Sequence, residues 1–303
     1  MFSFKFMIDF LFMWIRVATP ILWAALGASI CEKSGVVNLG LEGIMLIAAL
    51  FGVIGSAFGG GLFWGIAAGV LSAVVVSIIF AYFHLVLKAN SVLCGTAINT
   101  IAAGLTVFVL QLLTGEKGSS SSLNSFQFPT LNIPIVENIP VLGRILSGHN
   151  ILTYLGLLMV FLIHLFFYRT PIGLRIRAVG ETPKAAESVG INVIRIRLLA
   201  ILLCGIMAGF GGMYLSMGYL PMFTRDMVAG RGFIALAANA MGQSTPVGVL
   251  VSSLLFSFFD GLSNILQMLR IPAEFIQMLP YAATILFLTL YSIKKYMVKS
   301  KGE

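Results

Sequence analysis

The chain has 303 residues, 59% of them hydrophobic and only 10% charged, with a mean hydropathy of +1.01. Soluble globular domains run at about 45–50% apolar and about 25% charged, so a water-soluble fold is excluded. The net charge of +8 raises nucleic acid as a partner, but the basic residues stand at the ends of apolar runs and form no patch with interleaved aromatics, which excludes that class too.

In chain order, apolar windows fall at about Phe10 to Ile30, Val36 to Ile54, Leu62 to Phe83, Val92 to Leu113 and Ile151 to Tyr168. They resume at about Leu198 to Tyr219, Gly232 to Met241, Val247 to Leu269 and Phe275 to Ile293. The run GFIALAANAM is short, nearer a half helix or re-entrant segment than a crossing of hydrocarbon about 30 Å thick; the other windows are long enough to span. None shows the alternation of a transmembrane barrel, and backbone groups in lipid must pair internally. The expected fold is therefore all-α, a polytopic membrane protein with eight to nine spans forming one transmembrane domain over residues 1–303. Before the first window stand Lys5 and Asp9, with no strongly basic segment and no small-residue cleavage site, so that window is expected to be kept as a span.

Orientation follows from the loops. Arg169, Arg175, Arg177, Lys184, Arg195 and Arg197 outnumber Glu181 and Glu187 between residues 169 and 197, and Lys294, Lys295, Lys299 and Lys301 crowd the tail. Both segments are expected in the cytoplasm, C-terminus included. The Ser-, Pro- and Asn-rich segment 114–150, balanced in charge, is expected outside. Counting the short run as a crossing gives an external N-terminus; treating it or the second run as re-entrant reverses that side.

Glycines recur within the spans, where small residues let helices approach closely. The runs GVLSAVVVSIIF (Gly69 to Phe80) and GVLVSSLLFSFF (Gly248 to Phe259) share their opening and closing residues at equal spacing. A two-repeat transporter leaves such an echo, and so does chance among apolar residues. Cys31, Cys94 and Cys204 are odd in number and far apart, and His84, His149 and His164 have no partner at ligand spacing, so neither disulfide, metal site nor histidine chemistry is expected. Trp14, Trp23 and Trp64 read as interfacial anchors.

The stretch GETPKAAESVGINV interrupts this pattern. Thr182 supplies an N-cap, Pro183 a preset first helical turn, Lys184 to Val189 about two turns, and Gly190 a left-handed C-terminal position. A helix below about 12 residues is marginal alone in water, so this one needs a surface, either a cytoplasmic protein or anionic lipid headgroups.

The runs SGVVNLGLEGIMLIAA (Ser34 to Ala49), GETPKAAESVGINVIRIRLLA and AGRGFIALAANAMGQSTPVGVLVSSLLF together resemble the permease subunits of bacterial ATP-binding cassette (ABC) importers for simple sugars and nucleosides. The likeness covers nearly the whole chain and is greatest to the nucleoside branch served by basic-membrane-protein type lipoproteins. It implies that the 169–197 loop holds the coupling helix, with Thr182, Pro183, Lys184, Ala185, Ala186, Glu187 and Gly190 docking into a cleft of a separate ATPase subunit. It further implies a second related permease chain or a second copy, an extracytoplasmic substrate-binding lipoprotein, a place in the bacterial plasma membrane, and alternating access. In agreement, the sequence contains no G-x-x-x-x-G-K-[ST] phosphate loop; the fragment GEKGSS from Gly115 lacks the spacing. ATP is then hydrolysed by another chain, and no cofactor is expected here.

Polar residues inside spans must face protein or water. Thr96, Asn99 and Thr100 share one helix face, as do Asp260, Asn264 and Gln267, and Asn239 lies in the short run. These residues are candidates to line a path for a hydroxylated solute, whose hydroxyls and base edges amides and carboxylates can bond; the bland alternative is helix-to-helix bonding. Asn38 and Glu42 read as structural, bonding backbone amides freed where the resemblance implies an irregular second helix. The competing reading is an ion-coupled secondary transporter using Glu42 and Asp260; an intramembrane enzyme would need a nucleophile–base pair or a metal cluster, and none is apparent.

Overall fold

The computed structural model describes residues 4–134 and 142–266 together with Ile285, Leu286 and Thr289. The window at Phe275 to Ile293, Gln267 and the basic tail fall outside the described residues, apart from those three. Within them the regular structure is helical, save for a short ribbon in which β1 (Thr130–Leu131) pairs antiparallel with β2 (His149–Asn150). The helices are α1 (Phe4–Glu32), α2 (Leu41–Gly59), α3 (Leu62–Ala81), α4 (Ser91–Thr114), α5 (Leu142–Leu146) and α6 (Ile151–Arg169). They continue with α7 (Pro171–Glu181), α8 (Pro183–Ser188), α9 (Val193–Tyr214), α10 (Arg231–Met241) and α11 (Pro246–Leu266). Seven of them are long and apolar enough to cross a membrane: α1, α2, α3, α4, α6, α9 and α11.

The windows read from sequence sit on these helices with one instructive shift. Apolar residues begin at Val36, but α2 begins at Leu41, and Val36 to Asn38 are neither helix nor turn. Gly35, at φ +81°, turns the chain after α1. Asn38 then accepts the Gly40 amide through Oδ1 at 3.0 Å, a local bond that competes with helix. Hydropathy sees only burial, whereas the helix start is decided by this hydrogen bonding.

The centre of the bundle is α1, α2 and α9. Two-thirds (67%) of the α2 span is buried against 22% of the α4 span, which places α4 at the rim. Small residues allow the central helices to meet: a Cβ on Gly212 of α9 would overlap the Met45 carbonyl of α2. Trp23 is buried in this core, donating Nε1–H to the Leu152 carbonyl at 2.9 Å, so it ties α1 to α6 instead of anchoring at an interface. Trp14 donates to Leu254 of α11 at 2.7 Å, and Trp64 is exposed.

At the end of the bundle opposite α8, loop 115–130 folds over residues 217–227. Ser120 and Phe223 exchange hydrogen bonds (Ser120 N–H to the Phe223 carbonyl at 2.9 Å, Phe223 N–H to Ser120 Oγ at 2.8 Å), Arg225 N–H reaches the Gly118 carbonyl at 2.8 Å, and Phe128 N–H reaches Met217 at 2.8 Å. His149 is buried here, its ring stacked on Phe12 of α1 at 4.2 Å between centroids. Its Nε2–H donates to the Ile145 carbonyl at 2.7 Å, while Nδ1 has no hydrogen-bond partner among the described residues. Burial holds this imidazole below its ordinary value; the Ile145 carbonyl opposes the shift and the Arg16 charge adds to it. The folded state thus favours neutral His149, so its contribution to stability is complete above the ordinary histidine value and is lost as pH falls through the lowered one. The purified protein should melt at lower temperature as pH is taken from 7.5 to about 5, and His149→Phe, which keeps the stack on Phe12, should flatten that dependence.

Candidate functional site

Two irregular backbone stretches meet inside the bundle: the linker between α1 and α2, and the entry to α10. Each leaves helix-end amides that need partners away from water. Glu42, in the first turn of α2, supplies them for α10: its Oε1 accepts Gly230 N–H at 2.7 Å and its Oε2 accepts Gly232 N–H at 2.7 Å. A carboxylate on the positive end of a helix is favoured both by charge-assisted bonding and by the dipole. The approach is close, since a Cβ on Gly232 would lie 2.7 Å from Oε2 and 2.6 Å from the Glu42 nitrogen. Asn99 of α4 does the corresponding work for α2, accepting Gly43 N–H at 2.8 Å and donating to the Leu39 carbonyl at 2.9 Å.

Charges complete the junction. Arg231 Nη2 lies 3.3 Å from Asp260 Oδ2, an ionic contact without hydrogen-bond alignment, and Arg231 Nη1 donates to the Met227 and Val228 carbonyls at 3.3 Å. Asn38 Nδ2 points at Cys204 Sγ, 3.9 Å away. Near the far end of α10, fully buried Asn239 donates through Nδ2 to Glu32 at the end of α1. Thr96 and Thr100 are exposed on α4, their hydroxyls donating to carbonyls of their own helix. Asn264 lies in α11, and Gln267 outside the described residues.

The structure therefore brings Asn38, Glu42 and Asn99 together, holds Asp260 on Arg231, and sets Asn239 apart on Glu32. Sequence reasoning passed over Glu32, Arg231, Gly230 and Gly232. A signal existed for the last three: AGRG immediately before a half-length apolar run is a charged, glycine-flanked helix start. No signal in the chain paired it with Glu42. Two grooves elsewhere in the bundle, of about 480 Å³ among α1, α6 and α9 and about 440 Å³ among α2, α3 and α4, are lined almost wholly by apolar side chains such as Met159, Phe166, Phe210, Phe51, Leu71 and Val75. Such walls suit acyl chains and leave a hydroxylated solute unbonded.

The 169–197 loop folds at the opposite end from the 115–130 loop. Thr170 Oγ1 accepts Gly173 N–H at 3.1 Å to start α7. In α8, Ala186 N–H bonds the Thr182 carbonyl at 3.1 Å, while the Thr182 side chain makes no capping bond. Gly190, at φ +81°, ends the helix with Ile191 N–H on the Ala186 carbonyl at 3.0 Å. Only Ala186 of α8 is buried; Lys184, Ala185 and Glu187 are exposed and Val189 is 75% exposed, an apolar side chain in water on a projecting, basic loop.

A many-helix membrane bundle with a broken span, a half helix and a projecting two-turn loop helix has the make-up of a transport permease subunit. The chain belongs to the family of branched-chain amino acid transport system permease components, whose pattern it matches over residues 10–288. It is similar to the nucleoside ABC transporter permease protein NupC of Lactococcus lactis subsp. cremoris, 34% identical over 94% of this chain and 92% of that one. It is likewise similar to the guanosine ABC transporter permease protein NupQ of Bacillus subtilis, 36% identical over 90% and 88% respectively. A third relative is the putative glucose ABC transporter permease protein TsgC13 of Haloferax volcanii, 34% identical over 82% and 74%. No solved structure matches. The protein is a multi-pass membrane subunit of an ABC transporter, a class that works with ATPase and substrate-binding partners.

Replacing Asn99 by Leu removes partners from two backbone groups at about 1–3 kcal/mol each, so the melting temperature of the purified protein should fall by several degrees. Gly232→Val, which drives a side chain into Glu42, should do the same, and Gly232→Ala less so.

Proposed function

We propose that this chain is a membrane-spanning half of a nucleoside importer, bearing on a separate ATPase through Thr182, Pro183, Lys184, Ala185, Ala186, Glu187 and Gly190. The observation that carries the reading is the exposure of α8 on an otherwise apolar protein: a two-turn helix with Val189 bare is a surface awaiting a partner. Nucleosides are favoured over sugars because relatives named for nucleoside and guanosine transport combine 34% and 36% identity with about nine-tenths of the chain, whereas one glucose relative at 34% covers 82% and another that covers 93% is 24% identical.

In this reading the loop end bearing α8 and the C-terminus face the cytoplasm of a bacterial cell, and the 115–130 loop faces an external lipoprotein receptor. A second related permease chain, or a second copy, covers the rim where α4 is exposed. Thr96 and Thr100, bare on α4 near the broken segment, are the candidates a solute meets, and Asn264 and Gln267 are further candidates; Asn99, Asn239 and Asp260 contribute by holding the wall. The chain binds no cofactor, and ATP is hydrolysed by the partner. Ion coupling is disfavoured because both Glu42 oxygens are occupied by amides and Asp260 is neutralised by Arg231.

The test is uptake of radiolabelled adenosine, uridine and glucose into proteoliposomes holding the permease with its ATPase and receptor. Saturable, ATP-dependent nucleoside uptake is expected, together with a nucleotide-sensitive crosslink from Ala185→Cys to the ATPase. Uptake of glucose alone would move the protein to the sugar branch, and uptake driven by a proton or sodium gradient without the ATPase would overturn the assignment.

A further inference from the structure

No hydrogen bond among the described residues joins α8 to α10. Between them lies the linker from Glu32 to Glu42, and it is fastened on both sides. On the α10 side, the two glutamates at its ends grip the half helix at two points: Glu42 takes the Gly230 and Gly232 amides at 2.7 Å each, and Glu32 takes the side-chain amide of Asn239. Gly230 and Asn239 are nine residues apart (239 − 230), about 14 Å of helix, so the two contacts hold α10 near both of its ends. On the loop side, Arg197 of α9 donates Nε–H to the Ser34 carbonyl at 3.2 Å, and α7 rests on the linker at Gly180, where a Cβ would overlap the Lys33 carbonyl and lie 3.2 Å from Gly35 N. The helices before and after α8 therefore both bear on Lys33 to Gly35.

The ends of α10 are built to turn. At its exit Gln243 N–H bonds Ala240 and Ser244 N–H bonds Asn239, with Gln243 at φ 54° and Ser244 at φ 51°. At its entry Ala229 sits at φ 49° and Gly230 at φ 81°. These are left-handed conformations that residues with a Cβ rarely adopt, and such residues concentrate where backbone direction changes. Between them α10 is a rigid rod held by two carboxylates.

We infer that the Glu32–Glu42 linker is the transmission element of this permease: displacement of the α7–α9 loop is delivered through Lys33 to Gly35 and passed to α10 by Glu32 and Glu42 acting as a two-point clamp. The two glutamates are positioning residues, not solute ligands. The inference rests on α8 being the ATPase dock. Loss of the clamp leaves docking and ATP hydrolysis in place and disconnects them from the pathway.

The experiment uses the full transporter in proteoliposomes with an environment-sensitive fluorophore on Ala240→Cys, an exposed position of α10. In the parent protein, ATP should shift the fluorophore signal. In Glu32→Ala and Glu42→Ala, the Ala185→Cys crosslink to the ATPase and ATP hydrolysis should persist while the shift disappears and uptake per ATP falls by about tenfold or more, within the usual range of coupling energies. Glu32→Gln, which keeps an acceptor oxygen for Asn239 and guards against misfolding, should give intermediate coupling at parental melting temperature, whereas Glu42→Gln, which keeps one acceptor and turns the other into a donor, should give intermediate coupling at a lower one. Full coupling with a parental fluorophore shift in both alanine variants would overturn the clamp while leaving the dock intact. Absence of the Ala185→Cys crosslink in the parent would overturn the dock instead.

Discussion

The helix breaks inside this bundle rest on one kind of contact: a side-chain oxygen accepting backbone amides where no water is available. A helix broken inside a membrane exposes donors and acceptors that hydrocarbon cannot satisfy. Among the described residues the chain breaks before α2 and before α10, and it brings these breaks side by side so that each can be served from its neighbour. Glu42 takes the amides that open α10, and Asn99 takes the first turn of α2. Because α2 is itself at the centre of the bundle, these few bonds fix the relation among α2, α4 and α10.

That arrangement changes the meaning of the buried acids. A carboxylate in a span is a natural suspect for ion coupling, since its placement there is costly. Here Glu42 has both oxygens on peptide amides and Asp260 faces a guanidinium, so each is accounted for by structure. The cost of burying a charge is offset locally, and what it returns is a defined geometry for backbone that would otherwise be helical or unpaired. The distribution of exposure follows the same division of labour. The central helices bury their apolar faces against one another through glycine-mediated approach, whereas α4 turns Thr96, Thr100 and a row of aliphatic residues outward. A subunit whose rim is this open fits a protein that works in an assembly, with lipid against the apolar grooves and other chains against the rest.

The sequence by itself determined the solvent this protein lives in, the order of the seven long apolar helices found among the described residues, the bounded two-turn helix at Pro183–Ser188, and the half-length run at Arg231–Met241. These are local properties: hydropathy over a window, a proline and a glycine at helix ends, a run too short to cross. It also marked Asn38, Glu42, Asn99, Asn239 and Asp260 as polar residues needing partners. Only the tertiary structure decided which partners they have. Glu42 is 190 residues from Gly232 and Glu32 is 207 from Asn239, and neither spacing leaves any periodicity in the chain. The start of α2 lies five residues beyond the start of the apolar run for the same reason, because Val36 to Gly40 continue that run and yet are held out of the helix by Asn38 and by Asn99, sixty residues from Leu39. Hydrophobicity is a property of each residue and can be read in order; the satisfaction of a buried amide depends on which distant side chain folds against it.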